Sequence, residues 1–173
     1  IGHSAVIINV AKGVENETLK IMSEVILDVN GNISNYVTLS GPSHAEEVIS
    51  GMPTAVVAAS ESIEASKIIQ ALFSTNKFRV YTNEDLIGVE ICGSAKNVIA
   101  IAAGFCDGFG YGDNTKSALV TRGIKEVARL GLKSGAKFET FFGLAGIGDL
   151  IVTCGSIHSR NRKLGERIGR GMS

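Results

Sequence analysis

The first half of the chain alternates two hydrophobic periods. Ala5–Val10 is a continuous apolar run, the pattern of a strand buried on both faces, and Lys12-Gly13 closes it. Over residues 16–29, Leu19, Met22, Ile26 and Val29 recur at helical spacing. Tyr36–Leu39 reads as a short strand broken by Gly41-Pro42. Ser43–Ile49 reads as a short helix begun by a capping serine, with Glu46 three residues on. Thr54–Ala59 is another strand. Ser62–Phe73 is a helix with Ile63, Ile68, Ile69 and Leu72 available to its buried side, and Phe78–Tyr81 is a last strand. This alternation predicts an α/β layer with a largely parallel sheet.

From about Asp85 the pattern becomes helical only. Residues 90–106 form an apolar helix, and the glycines of 108–112 read as a helix-ending turn. A long amphipathic helix over 115–132 follows, with Arg122, Lys125, Glu126, Arg129 and Lys133 on its solvated face. Phe138–Phe142 is a short helix, and the glycines of 143–148 read as a second helix-ending turn. Leu150–Thr153 is ambiguous, and Arg160–Ile168 is a helix capped by Ser159. The expected organisation is an α/β lobe over residues 1–84 and a helical lobe over 85–173, with a ligand cleft at their junction.

Composition narrows the choice of chemistry. The 173 residues are 45% hydrophobic and 20% charged, with 17 basic residues against 17 acidic ones. A neutral chain with 6% aromatics carries no field directed at nucleic acid. Cys92, Cys106 and Cys154 are odd in number and far apart, and the three histidines form no zinc motif, so a reducing compartment and no metal are expected. The longest apolar run is interrupted by Ser94, Lys96 and Asn97 and reads as too short to span a bilayer. The chain opens without a methionine and stops just after a charged helical pattern, which reads as an interior piece of a longer protein.

Four positions could carry chemistry. Lys96 is the one charge in the sixteen residues after Glu90, flanked on the helical wheel by Cys92, Gly93, Ala100 and Ala103. Burial there would move its pKa toward the range of proton transfer; the alternative is a lysine that snorkels to the surface or pairs with an acid. Asp149, after the glycine-rich 143–148, either caps the next segment or pairs with Lys96. Ser159-Arg160-Asn161 opens a helix with amide donors, a guanidinium and the positive dipole end, a combination suited to phosphate; otherwise it begins a solvated basic helix. Lys12-Gly13 and Gly41-Pro42-Ser43 follow strands, where open α/β sheets bind ligands, or are simply turns. No G-x-G-x-x-G occurs.

The ordered segments K-G-V-E, L-S-G-P-S-H-A-E-E, F-R-V-Y, G-V-E-I-C-G-S-A-K-N-V, G-D-L-I-V-T-C and S-R-N-R-K resemble those of NAD(P)-dependent sn-glycerol-3-phosphate dehydrogenases over nearly the whole chain. The resemblance implies a Rossmann-type α/β lobe lacking its first βα unit, followed by an all-helical lobe incomplete at its C-terminus. It implies hydride transfer between sn-glycerol 3-phosphate and dihydroxyacetone phosphate with NAD or NADP. Lys96 then matches the catalytic lysine and Asp149 the acid beside it. Lys12, Gly41, Ser43, Asn97, Ser159, Arg160 and Asn161 match substrate-binding positions, and Lys12, Ala45 and Arg160 cofactor-binding ones. The same resemblance implies a cytoplasmic homodimer when intact, engaged in glycerol phosphate and phospholipid-precursor metabolism. Without a glycine fingerprint this segment alone is expected to bind cofactor poorly and to be inactive. Two other expectations stand beside it: a related two-lobe hydroxyacid or sugar-acid dehydrogenase, and a non-catalytic chain that only binds a phosphate ligand or a partner subunit.

Overall fold

The structure is a computed structural model, and it describes residues 5–31 and 34–172. Four strands, β1 (Ile7–Asn9), β2 (Tyr36–Ser40), β3 (Thr54–Ala59) and β4 (Phe78–Asn83), form one sheet in the order β1-β2-β3-β4. Between them lie α1 (Met22–Asn30), α2 (Ala45–Ile49) and α3 (Ile63–Phe73). Every later element is helical: α4 (Leu86–Phe109), α5 (Asp113–Lys133), α6 (Phe138–Phe141), a π-helical turn over Leu144–Gly148, α7 (Asp149–Gly155) and α8 (Arg160–Gly169). A Rossmann-like α/β part is thus followed by a helical part.

Several expectations change. The sheet is mixed: β1–β2 and β3–β4 are parallel, whereas β2 and β3 run antiparallel with Thr38 opposite Ala59 and Ser40 opposite Val57. A parallel connection needs a helix laid across the sheet face. Helix α2 is only five residues long and buries none of them, so its segment turns the chain back instead of crossing over. Strand β1 is shorter than the apolar run and half-buried, because it sits at the sheet edge with a neighbour on one side only. Helix α1 starts at Met22 and not near residue 16. The Glu15 carboxylate accepts the backbone N–H groups of Glu17 and Thr18 and the Thr18 hydroxyl, which holds the segment as a turn. Leu19 there has φ +60° and is exposed. In α3 the buried positions are Ala65, Ser66 and Ile69, and Ile68 and Leu72 face outward. Ser43 does not cap α2; His44 is the N-cap and makes no side-chain cap bond.

Helix α4 organises the rest. Its N-cap Asp85 accepts the Gly88 N–H, the Lys137 N–H and the Thr140 hydroxyl, tying the helix start to α6. One turn on, buried Glu90 accepts the Tyr36 and Thr38 hydroxyls on one oxygen, at 2.6 Å each, and the Ser23 N–H and hydroxyl on the other. A buried carboxylate with every lone pair engaged in this way locks α4 to β2 and α1. The 24 residues of α4 are long and apolar enough, by length and composition, to cross a bilayer, contrary to the reading of a run too short. In this fold α4 is a core helix, with 56% of its most apolar window buried against protein.

At its other end α4 crosses α8 through glycines. A Cβ on Gly104 would lie 1.9 Å from the Arg162 carbonyl oxygen, and one on Gly165 1.8 Å from that of Ile101. Gly108 against Glu166, and Gly169 against Phe105, repeat the contact one turn along. Both helices therefore carry G-x-x-x-G and meet backbone to backbone.

Candidate functional site

The cavity that holds the sequence candidates measures about 470 Å³, within the usual range for a small-ligand site. Its walls come from the carboxyl end of β1, the turn after β2, the middle of α4, the first turn of α7 and the start of α8. The glycine-on-glycine crossing lets α8 lie close enough to α4 for Asn161 Nδ2 to donate to Asn97 Oδ1 at 2.8 Å.

Lys96 is buried at 8% exposure, so the snorkelling alternative falls. Its Nζ donates to Asp149 Oδ1 at 2.5 Å and to the Thr153 hydroxyl at 2.8 Å. Asp149, 2% exposed, receives Lys12 Nζ on its other oxygen at 2.7 Å. It makes no cap bond for α7; its carboxylate instead sits between two ammonium groups. The glycines before it are not a helix end. They form the π-helical turn that runs straight into α7, allowed by the close approach of Gly146 to the Phe141 backbone, where a Cβ would fall 2.2 Å from the Phe141 carbonyl oxygen. Thr153 lies one turn after Asp149 and donates to its backbone carbonyl at 2.6 Å, so its oxygen is turned to accept from Lys96.

The electrostatics follow from this packing. Burial is the largest influence on Lys96 and lowers its pKa to about 8, with the neighbouring Lys12 charge pushing the same way. Asp149 opposes both and keeps the shift moderate. An ammonium has three donors. Two are used within the protein, and Lys96 is one of the residues lining the cavity.

In the same cavity Ser159 is the N-cap of α8, its hydroxyl accepting the Arg162 N–H at 3.2 Å. That places Arg160 and Asn161 in the first turn, with the unsatisfied amides and the positive end of the helix dipole beside them. Behind the turn, Asp107 of α4 accepts from Arg162 and from Lys116 of α5, clamping three helices. Lys12, Gly41, Ser43, Asn97, Ser159, Arg160 and Asn161 all line the cavity together with Lys96 and Asp149. Ala45 does not; it is exposed at the start of α2.

Residues 85–173 match the model of the NAD-dependent glycerol-3-phosphate dehydrogenase C-terminus, and residues 1–66 that of the N-terminus. The chain belongs to the NAD-dependent glycerol-3-phosphate dehydrogenase family. A glycerol-3-phosphate dehydrogenase (NAD(P)+) of Clostridium perfringens is 58% identical over 171 residues, covering 99% of this chain and 51% of the relative. One of Chlorobium limicola is 59% identical over 170 residues, covering 97% and 51%. The crystal structure of the glycerol-3-phosphate dehydrogenase of Coxiella burnetii superimposes with a TM-score of 0.96 at 42% identity, over 100% of this chain and 53% of that one. This chain spans about half the length of the curated relatives it matches.

Three polar residues of the cavity escaped the sequence reading. Thr153 was part of an ambiguous segment, and its spacing of four from Asp149 was the available signal. His44 and His158 also line the cavity, with ring centroids 6.0 Å apart. They lie 114 positions apart in the sequence, and no spacing links them. Among the described residues no group of three or more His, Cys, Asp or Glu could hold a metal ion, and the three cysteines are buried and unpaired.

Proposed function

We propose that this chain carries the proton-transfer and phosphate-binding machinery of an enzyme interconverting sn-glycerol 3-phosphate and dihydroxyacetone phosphate with NAD(P)(H). The observation that carries the proposal is the buried Lys96–Asp149 pair lining one cavity together with a helix start that presents Arg160 and Asn161. The boundary near residue 84 between a dinucleotide-binding and a catalytic domain belongs to the same reading.

Lys96 is the general acid in reduction. Its free N–H points to the substrate ketone oxygen and transfers a proton as negative charge develops there. In oxidation the neutral amine takes the proton back from the hydroxyl. A pKa of about 8 lets both forms be populated near neutral pH, where general acid–base catalysis is most effective. Asp149 and Thr153 hold the amine at a fixed position through the cycle, and the second Asp149 oxygen keeps Lys12 at the cavity edge. Arg160, Asn161 and the first-turn amides of α8 bind the phosphate, with Ser159 fixing that turn. Gly41 and Ser43 close the substrate side.

The donors at the carboxyl ends of β1 and β2, with Lys12 and Asn97 beside them, suit the reacting end of a nicotinamide cofactor. When bound, the nicotinamide supplies or accepts the hydride at the substrate carbon. Lys12, Arg160 and Ala45 are the residues of this chain that would hold it, Ala45 from outside the cavity. No G-x-G-x-x-G is present here for the pyrophosphate. A homodimer in the cytoplasm goes with this reading, on the strength of the family resemblance.

The test is substrate discrimination by the full-length enzyme. Oxidation of sn-glycerol 3-phosphate should exceed that of unphosphorylated glycerol by orders of magnitude in kcat/KM. Equal rates with the two would end the phosphate assignment.

A further inference from the structure

We infer that His44 and His158 form a second half of the phosphate site, two imidazoles of the same cavity that meet the phosphate together with Arg160. This rests on the reading above that the start of α8 binds a phosphate monoester.

Three observations carry it. His44 Nε2 is fully buried and has no hydrogen-bond partner. A buried nitrogen left in that state costs free energy that a ligand oxygen would recover. His44 is one of the residues lining the catalytic cavity, the space from which a ligand oxygen could be supplied to that nitrogen. The second imidazole stands 6.0 Å away by ring centroids, tilted at 54°, on the other part of the fold: His44 caps α2, and His158 directly precedes Ser159. Its backbone is fixed by a bond from its N–H to the Ser156 hydroxyl at 3.0 Å. Two histidines from separate elements thus line the cavity beside the α8 turn.

Charges of both signs surround the pair. Arg160 and Lys163 lie on α8, and Glu46, in the first turn of α2, interacts with both imidazoles and with Lys163. A bound phosphate dianion favours imidazolium over neutral imidazole. Substrate binding should therefore strengthen as the histidines gain protons. A neutral hydroxyl in place of phosphate would gain none of this, so the pair discriminates for the phosphorylated substrate.

The experiment is steady-state kinetics on the full-length enzyme with dihydroxyacetone phosphate and with dihydroxyacetone, at about pH 6 and about pH 8, the range over which imidazole titrates. His44→Phe and His158→Phe should each raise KM for the phosphorylated substrate about tenfold, the scale of one charge-assisted hydrogen bond, with kcat little changed. Dihydroxyacetone turnover should fall by less than that of the phosphorylated substrate. His44→Gln keeps a polar group of similar reach without the charge, so it carries the test if the Phe variant folds poorly. Its KM relative to wild type should be larger at the lower pH; taking the ratio cancels the phosphate's own ionisation. A ratio independent of pH, or equal losses with both substrates, would overturn the histidine subsite. Arg160→Ala separates the levels. If it raises KM for the phosphorylated substrate while the histidine variants do not, only the subsite fails. If it too leaves phosphate discrimination intact, the phosphate site itself is wrong.

Discussion

Gly104→Ala tests whether the α4–α8 crossing sets the site. The new Cβ would fall 1.9 Å from the Arg162 carbonyl oxygen, whereas ordinary contact begins at 3.4 Å. The helices would have to part by about 1.5 Å, the difference between those two distances. Backbone atoms cannot rotate away as a flexible side chain could, so the whole start of α8 moves. That displaces Asn161 from Asn97, now bonded at 2.8 Å, and carries Arg160 with it. Overpacking of this kind costs about 1–3 kcal/mol, against a gain of up to about 1 kcal/mol from replacing a helical glycine by alanine. The net expectation is a loss of stability together with a higher KM for the phosphorylated substrate. Urea denaturation of the full-length enzyme, read as a lower midpoint at unchanged slope, measures the first, and initial rates measure the second. Gly155→Ala is the control: it lies at the end of α7 with nothing within 4 Å of the added carbon, so it should be neutral or stabilising. If Gly104→Ala is as stable as wild type and keeps its KM, the close crossing does not position the site.

Because Lys96 must be protonated to donate, ketone reduction should fall as pH rises through about 8 and oxidation should rise over the same interval; rate profiles in both directions, flat through that range, would remove Lys96 as the titrating group. Lys96→Met should lower kcat by about 10²–10⁴-fold while cofactor binding, followed by fluorescence titration, persists. Asp149→Asn removes the charge that holds the Lys96 pKa up, so the same limb should move below 8, and an unmoved limb would exclude that coupling. Glu90→Gln exchanges an acceptor of four hydrogen bonds for a group that must also donate, among hydroxyls that already donate to it. It should cost about 1.5–3 kcal/mol in thermal or denaturant unfolding, and an unchanged midpoint would show that the α4–β2 lock is dispensable.

Elements with a long, clean period were legible in the sequence, and those set by local competition were not. The helices α5 and α8, and the Ser159 cap, stand where their apolar spacing and capping residue put them, because both signals are local. The start of α1 was missed because the Glu15 carboxylate binds backbone N–H groups that a helix would have used. The antiparallel β2–β3 pair was missed because strand direction depends on where the connection packs, and α2 is too short to cover a sheet face.

The site divides along the same line. The sequence by itself determined that one lysine lay alone on an apolar helix and that a serine-capped basic turn lay elsewhere. Those are statements about hydrophobic patterning and capping, which a single segment carries. Tertiary structure alone decided that Lys96 and Lys12 share the two oxygens of Asp149, and that His44 meets His158. It also decided that four glycines bring α8 down onto α4. Such pairings join residues separated by 53 to 137 positions, and only the packed backbone brings them within reach of one another.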